Sequence, residues 1–506
     1  MPNRLVVAAI CLILCLTSTL AAAEPGWRAK VDPWVLETSS RSAETEFLVV
    51  LSAQADLSAA RELATKEEKG RFVFARLSAA AAATQAPVLA RLAELGVPHR
   101  PYWVVNMIWV RGDQGVVEHM ASRPDVARIH ANPWVRADIP LDPTPAPEAP
   151  AAIEWGVLKI KAPDYWAQGV TGQGVVVGGQ DTGYDWDHPA LIGKYRGWNG
   201  ATADHDYNWH DAIHSGGGIC GANSAVPCDD SGHGTHTMGT MVGDDGAGNQ
   251  IGVAPGARWI GCRNMDQGNG TPATYSECFE WFIAPTDLAG QNPDPSKAPH
   301  VINNSWGCPD FEGCTDPNIL KAVVENTRAA GIAVVVSAGN SGPSCESVET
   351  PAAIYEASFS VGATFDSDLI ATFSSRGPVT VDGSNRLKPE VTAPGVNVRS
   401  SVPGGGYAAL SGTSMAGPHV AGQAALLISA QPELAGDVDS LEICIEETAF
   451  PRASGQNCGG IPFPEIPNHT YGWGRVELVW PPPCAGIVFQ DGFESGDTSA
   501  WSSTGE

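Results

Sequence analysis

A serine hydroxyl is a weak nucleophile until a neighbouring base takes its proton, so a serine placed for chemistry must be read together with a histidine and a carboxylate. Three stretches supply those types: QDTG from Gln180 to Gly183, GHGTHTMGT from Gly232 to Thr240, and LSGTSMAGPHVAG from Leu410 to Gly422. Ser414 follows Gly412 and Thr413 at the start of a run in which Val420, Ala424, Ala425 and Leu427 recur at helical spacing. Gly412 permits a tight turn there, and the free N–H groups of a helix start receive negative charge. Serine at a helix start is also an ordinary N-cap, and this stretch alone leaves both readings open. Asp181 comes just after the apolar run Gly174 to Gly178, a buried-strand pattern that can hold a carboxylate rigidly. His233 opens the next helical run. Asp181 can orient it by accepting the Nδ1 proton, leaving Nε2 to take the proton of Ser414. His236, three residues on, competes for that role, the other reading being a buried, hydrogen-bonded histidine. HGTH lacks the glutamate of HExxH, which argues against zinc-based hydrolysis.

The oxygen that gains charge when a carbonyl is attacked needs donors. Asn340, in SAGNSG, offers its side-chain amide, and the Ser414 backbone N–H offers a second. Beside Gly339 and Gly342 an asparagine also suits a left-handed turn, and both roles are compatible. The elements that must position these groups are read from periodicity. HVINNSWG from His300 predicts a strand ending in a glycine turn, residues 318 to 331 a helix, and Ile332 to Ser337 a strand opening into AGNSG. Strand, helix and strand at this spacing imply parallel pairing through a right-handed crossover. Apolar runs without alternation fit a sheet covered on both faces, to which Phe359 to Gly362 and the region of Val391 add strands.

Upstream, Glu46 to Ala53 predicts a strand, Leu57 to Glu68 and Phe72 to Leu95 helices, Pro101 to Arg111 a strand, Gly115 to Ala121 a helix and Val126 to His130 a strand. This mixture suggests a small α+β domain built from one sheet face and two helices. Ile139 to Pro150 is a stiff proline-rich connection. Residues 1 to 23 read as a secretory signal: Arg4, the apolar run Leu5 to Leu20, then Ala21-Ala22-Ala23. The remaining chain keeps ten cysteines, all beyond residue 219; an even number in an exported chain favours disulfides. Short-loop pairs Cys220 with Cys228, Cys308 with Cys314 and Cys444 with Cys458 are the expectation, although spacing does not determine connectivity. Residues 24 to 150 carry 14 Lys+Arg against 16 Asp+Glu, whereas residues 151 to 506 carry 15 against 40. So acidic a portion repels nucleic acid and anionic membrane, which argues against both as partners.

QDTG at Asp181, GHGTHTMG at His233, VINNSWG, SAGNSG at Asn340 and GTSMAGPHVAG at Ser414, in that order, closely resemble the hallmark segments of the subtilisin-like serine peptidases, the subtilases. The order of aspartate, histidine and serine also matches that family and neither chymotrypsin nor the α/β-hydrolases. The resemblance covers roughly residues 153 to 478. It implies a three-layer α/β/α fold with a central, mostly parallel sheet, preceded by a small α+β propeptide domain. It implies division into a signal peptide (1–23), an inhibitory propeptide with its linker (24–150), a peptidase domain (151–480) and a short tail (481–506). By the same resemblance the catalytic groups are Asp181, His233 rather than His236, Ser414 and Asn340. Ser305, Trp306 and Gly307, with Ser337, Ala338 and Gly339, then line a cleft that pairs with an extended peptide. Trp306 stands where the family commonly has a smaller aliphatic residue and is expected to narrow or floor a pocket; Gly417 stands where many members have alanine or serine. The implied protein is a secreted, monomeric serine endopeptidase acting on proteins or peptides through an acyl-enzyme, held as a zymogen by its own propeptide and cut between Pro133 and Trp155. Two rivals are a catalytically silent relative and an acid-active serine-carboxyl peptidase. No cofactor is required for the chemistry. Structural calcium is typical of the family, and Asp204, Asp206, Asp211, Asp229, Asp230, Asp244 and Asp245 are candidate carboxylates, none assigned as a ligand.

Overall fold

The computed structural model describes residues 26–136, 144–145 and 152–484. The signal-like segment, most of the proline-rich connection and the tail beyond Cys484 lie outside the described residues.

Residues 26–136 form a small domain whose order is α1 (Pro33–Arg41), β1 (Thr45–Leu51), α2 (Lys66–Thr84), α3 (Ala86–Leu95), β2 (His99–Tyr102), β3 (Met107–Gly112), α4 (Gln114–Ala121) and β4 (Val126–Ala131). Its sheet is antiparallel in the order β2-β3-β1-β4. Four expectations need correction. The helix expected from Leu57 to Glu68 is a short 3-10 turn, Ser58–Glu62, followed by extended Leu63 and by Thr65, the N-cap of α2. The long helical pattern to Leu95 is two helices that meet at Gln85, just before Pro87, which sits at the start of α3, where a missing N–H costs nothing. The strand expected from Pro101 to Arg111 is a hairpin turned at Trp103–Asn106, with Asn106 at φ 48°. Both faces of the sheet are covered, not one. Period-2 alternation explains this: Phe47, Val49, Ile108 and Val110 pack with α1, α3 and α4, while Leu48, Val50, Met107 and Trp109 join the core of the following domain.

Short pieces β5 (Val135–Arg136), β6 (Thr144–Pro145) and β7 (Ala152–Ile153) lead into α5 (Trp155–Lys159) and α6 (Ala162–Trp166). Then follow β8 (Val176–Asp181), β9 (Trp209–Asp211), α7 (His233–Val242), β10 (Asn249–Gln250), β11 (Arg258–Arg263), β12 (Met265–Asp266), β13 (Asn269–Gly270) and α8 (Pro272–Ile283). The remainder is β14 (Val301–Asn304), α9 (Lys321–Ala329), β15 (Ala333–Ser337), β16 (Phe359–Thr364), β17 (Val391–Pro394), β18 (Val398–Val402), β19 (Gly406–Leu410), α10 (Thr413–Ala430) and α11 (Val438–Thr448). Seven strands pair in parallel in the order β17-β16-β15-β14-β8-β11-β9. Alternation again divides the core: Val301, Ala333, Val335 and Val361 face α7 and α10, whereas Ile302, Val334 and Val336 face α8 and α9. This is the three-layer α/β/α arrangement that the uninterrupted apolar runs imply.

The disulfides correct one expected pairing. Cys220–Cys228 and Cys308–Cys314 form, but Cys444 on α11 bonds Cys484 and Cys458 bonds Cys345. Partners 40 and 113 residues apart come within 5.3 Å between Cα atoms because the chain returns across the domain, a proximity that spacing does not carry. Cys262–Cys278 ties β11 to α8.

The small domain docks on α8 and α9. Glu280 accepts the backbone N–H groups of Trp103 (2.5 Å) and Val104 (2.8 Å), and Asn326 Nδ2 donates to Val104 O (2.6 Å). Tyr102 OH donates to Glu277 (2.9 Å), which also bonds His210 Nε2 (3.0 Å) and His214 Nε2 (2.8 Å). Burial pushes Glu280 up to about 8, against the two N–H bonds that pull it down. Burial would likewise raise Glu277, yet the hydrogen bonds from His210 and His214 hold it well below the usual carboxylate range. Leu48→Asp places a charge on the docking face. It is expected to speed amide exchange in α8 and α9 by hydrogen-exchange mass spectrometry. Phe47→Ala empties the small domain's own core instead and is expected to destabilise that domain by about 3–5 kcal/mol.

Candidate active site

Crevices in parallel sheets lie beyond the carboxyl ends of the strands, and the polar residues of this chain gather there. Asp181 ends β8, and Asn304-Ser305 and Ser337-Ala338 end β14 and begin the loop after β15. A row of amides braces this edge: Asn264 Nδ2 donates to Gln180 Oε1 (2.9 Å), Gln180 Nε2 to Asn304 Oδ1 (2.5 Å), and Asn304 Nδ2 to Val335 O (2.9 Å).

His233 is the first residue of α7, and its Nδ1 lies 2.7 Å from Asp181 Oδ1, both side chains fully buried. The same Asp181 oxygen accepts the Thr182 N–H (2.8 Å), and Thr237 Oγ1 approaches the other (3.4 Å). Gly234 is required here, since a Cβ would lie 2.1 Å from Gly183 O and 3.0 Å from the Asp181 Cβ. The N-terminus of α7 has no cap from its own N-cap residue, Gly232. Asp229 takes over from one turn upstream: its carboxylate accepts the N–H groups of Ser231 (3.0 Å), Gly232 (2.7 Å) and Thr235 (3.0 Å) and the hydroxyls of Thr182 (2.8 Å) and Thr235 (2.6 Å). Sequence reasoning missed this role; an aspartate four residues before a helical run was its only signal.

His236 lies away from Asp181. Its Nε2–H donates to Val398 O (3.0 Å) and lies 3.2 Å from Ala408 O, and burial drives its pKa down to about 3, so the ring is neutral. The structure therefore gives His236 the buried, hydrogen-bonded place and brings His233 to the carboxylate.

Ser414 is the second residue of α10, whose N-cap is Gly412 with no side-chain capping bond. The N-cap reading of Ser414 is thus not what the helix uses. Pro418, four residues on, has no N–H, so the Ser414 carbonyl lacks its helical donor. Ser305 Oγ supplies one (3.1 Å) and in turn accepts from Asn303 Nδ2 (2.9 Å), while Ser414 Oγ donates to Ser305 O (3.4 Å). α7 and α10 pack side by side, with His233 and Ser414 both in their first turns. Asn340 Oδ1 accepts both the N–H (2.9 Å) and the hydroxyl (2.9 Å) of Thr413. With the oxygen so held, the amide nitrogen of Asn340 is the end left to donate.

A cleft of about 350 Å³ runs past these groups and is lined by Ser305, Trp306, Gly307, Ser337, Gly339 and Asn340, together with Ser414. Trp306 is buried and stacks on Tyr275 with ring centroids 3.9 Å apart. Ala338 sits beneath the cleft rather than in its wall: its N–H is used by Val361 O (3.0 Å) and its methyl lies in the core. At Gly417 a Cβ would come within 2.9 Å of Asn303 Oδ1, so the missing side chain makes room for the asparagine that positions Ser305. Residues not anticipated also line the cleft: Pro309, Phe311, Glu312, Thr350 and Arg136. Arg136 belongs to β5, which pairs antiparallel with β13.

Among the described residues no three His, Cys, Asp or Glu side chains group for a metal ion. Asp229 is consumed by its five donors, Asp211 and Asp230 face the buried Arg263, and Asp245 accepts from Ala247, Asn249 and Tyr407.

The buried neutral histidine gives a pH expectation. Because its folded pKa lies below the ordinary 6.5, His236 contributes stability fully above that value and loses it as pH falls toward about 3. The melting temperature should fall between pH 6.5 and 4, and His236→Gln, which keeps a donor for Val398 O, should flatten that slope. His300 and His419, lowered by burial to about 3 and about 4, should leave a residual slope.

The subtilase family model matches residues 172–474. The chain is similar to Bacillopeptidase F of Bacillus subtilis (strain 168), 42% identical over 392 residues, which are 74% of this chain and 26% of that protein. It is similar to Subtilisin E of the same organism, 32% identical over 340 residues, covering 67% of this chain and 74% of the relative. Subtilisin of Bacillus pumilus is 34% identical over 284 residues, 56% of this chain and 86% of the relative. The chain thus spans about a quarter of Bacillopeptidase F and most of the two subtilisins.

Proposed function

Because the chain belongs to the subtilase family, we propose that it is a serine endopeptidase in which Ser414 is the nucleophile, His233 the base and Asp181 the group that orients the base. The observation that carries this reading is the buried 2.7 Å contact between His233 Nδ1 and Asp181 Oδ1 at the head of α7, beside the helix that begins with Thr413 and Ser414. Asp181 accepts the Nδ1 proton and sets the tautomer. Nε2 then takes the Ser414 proton as Oγ attacks the peptide carbonyl, and later returns it to the departing amine. The acyl-enzyme so formed is hydrolysed by a water that the same ring activates. Charge on the carbonyl oxygen is received by Asn340 Nδ2 and the Ser414 N–H; the grip of Thr413 on Asn340 Oδ1 supports that orientation.

The N-terminal domain acts as the inhibitory propeptide. Its docking on α8 and α9, the pairing of Val135–Arg136 with β13, and the presence of Arg136 in the cleft that holds Ser414 support this reading. Release follows a cut between Pro133 and Trp155. Five disulfides and the signal-like first 23 residues support export from the cell. No single helix among the described residues is long and apolar enough to cross a membrane. The exported enzyme would act on peptides or proteins as a monomer.

Ser414→Ala should abolish both the appearance of a shortened chain on gels and hydrolysis of casein. Persistence of either in pure protein would refute the assignment. Asn340→Ala should lower kcat by about 100- to 1000-fold, the loss known for removing one such donor in a subtilisin, with KM little changed.

A further inference from the structure

Glu154, Trp155 and Gly156, where β7 gives way to α5, lie behind the cleft along β18 and the first turns of α10. Glu154 Oε1 accepts from Arg399 (3.1 Å), and Trp155 Nε1–H donates to Asn397 O (3.1 Å), so the two straddle Val398 of β18. The indole packs on Val398, Leu410 and Met415, an apolar cluster separate from the main core of the sheet. Leu410 ends β19 opposite Val398, and the Asn397 N–H donates to Ser411 Oγ (2.9 Å). Met415 follows Ser414, and its N–H donates to Gly412 O (3.0 Å). Trp155 therefore touches the residue that enters the turn of Ser414 and the residue that leaves it. Gly156 completes the contact one helical turn on: a Cβ there would overlap His419 Nε2, while His419 Nδ1–H donates to Met415 O (2.9 Å). The segment is itself anchored upstream, since the Ala152 N–H donates to Gly248 O (2.9 Å), β7 pairs with β10, and Arg399 also donates to Asn249 Oδ1 (2.7 Å).

We propose that Trp155 is a positioning residue for Ser414: with Glu154 and Gly156 it clamps the end of β19 and the head of α10, and so fixes the direction in which Ser414 Oγ leaves the turn, an inference that rests on the serine endopeptidase reading above. The turn needs such a support. Gly412 and Gly417 on either side of Ser414 bring no side chain to restrain the backbone, the N-cap makes no side-chain bond, and Pro418 removes a helical hydrogen bond from the first turn. A reacting oxygen displaced by about 1 Å costs a rate of about 100-fold, so packing on Leu410 and Met415 reaches the chemistry although Trp155 touches neither substrate nor base. One consequence concerns maturation. The clamp belongs to the working enzyme, so the cut that frees the N-terminal domain lies upstream of Glu154, leaving the pair of Glu154 with Arg399 to hold the new chain start.

The test compares the unaltered full chain with Trp155→Ala, Trp155→Phe and, as a control for lost packing alone, Val157→Ala, a fully buried residue of the main core two positions on. Trp155→Ala should lower kcat by about 100-fold with KM little changed, and slow fluorophosphonate labelling of Ser414 by the same factor. The acid limb of its pH–kcat/KM profile should stay in place, because the contact of His233 with Asp181 is untouched. Trp155→Phe keeps a ring on Leu410 and Met415 and loses only the bond to Asn397, so its kcat should stay within about tenfold of the unaltered enzyme. Val157→Ala should lower the melting temperature and leave kcat unchanged. N-terminal sequencing of the matured chain should find Glu154 and Trp155 retained. If Trp155→Ala does not mature, self-processing of the precursor is timed instead, with the same order expected: Trp155→Ala about 100-fold slower, Trp155→Phe within about tenfold, Val157→Ala unchanged. An unaltered kcat and labelling rate in Trp155→Ala, a loss carried by KM alone, an equal loss in Val157→Ala, or an active chain that begins beyond Trp155 each overturns the proposal and leaves the peptidase reading intact. An unaltered chain that neither cleaves casein nor labels at Ser414 overturns both.

Discussion

The site depends on one buried carboxylate that does none of the proposed chemistry. Asp229 gathers five donors, one from the loop after β8 and four from the first turn of α7 and the residues before it. It thereby joins the end of the strand that carries Asp181 to the start of the helix that carries His233. Without it, the N–H groups of Gly232 and Thr235 lose their acceptor, and Thr182 Oγ1, which takes the Gly234 N–H (3.0 Å), is the remaining side-chain cap at the start of α7. The second helix is anchored by a comparable economy. Pro418 deprives the Ser414 carbonyl of its donor, and Ser305, at the exit of β14, provides the substitute. Each helix start is thus held to the strand beside it through a backbone group that its own sequence leaves unsatisfied.

Charge compensation does similar work farther out. Arg263, fully buried at the end of β11, faces Asp211, Asp230 and Asp266 and donates to the carbonyls of Gly217 and Gly221. A guanidinium presents five donors in a rigid fork, so one residue can hold a wide acidic loop. That loop contains Cys220–Cys228 and leads into Asp229. The acidic surplus of residues 151–506 is therefore partly internal wiring and not simply a solvated surface.

The two domains share a surface because of strand alternation. β1 and β3 of the small domain have no polar face: one set of residues closes on its own helices and the other completes the core around α8 and α9. The polar contacts at Glu277 and Glu280 are buried within that apolar seam and tie β2 and the turn after it to α8. With the domain docked, its last strand runs along β13 toward the cleft.

The parallel sheet, its two helical layers and the positions of Asp181, His233, Asn340 and Ser414 at element boundaries were legible in the chain. Apolar runs, helical spacing and glycine turns are local properties, expressed over a few residues whatever the rest of the fold does. Taken alone, those residues left His233 and His236 as competing claimants. They are three apart on one helix, and only the placement of β8 on one side and β18 with β19 on the other assigns a carboxylate to the first and carbonyls to the second. The same limit explains Cys444, which ignores the nearer Cys458 for Cys484, and Asp229, considered among the calcium candidates, whose hydrogen bonds hold the start of a helix. What a residue is follows from the sequence, but the partner that completes its hydrogen bonds or its disulfide lies across the fold, and contacts between distant segments exist only after the strands have crossed over and packed.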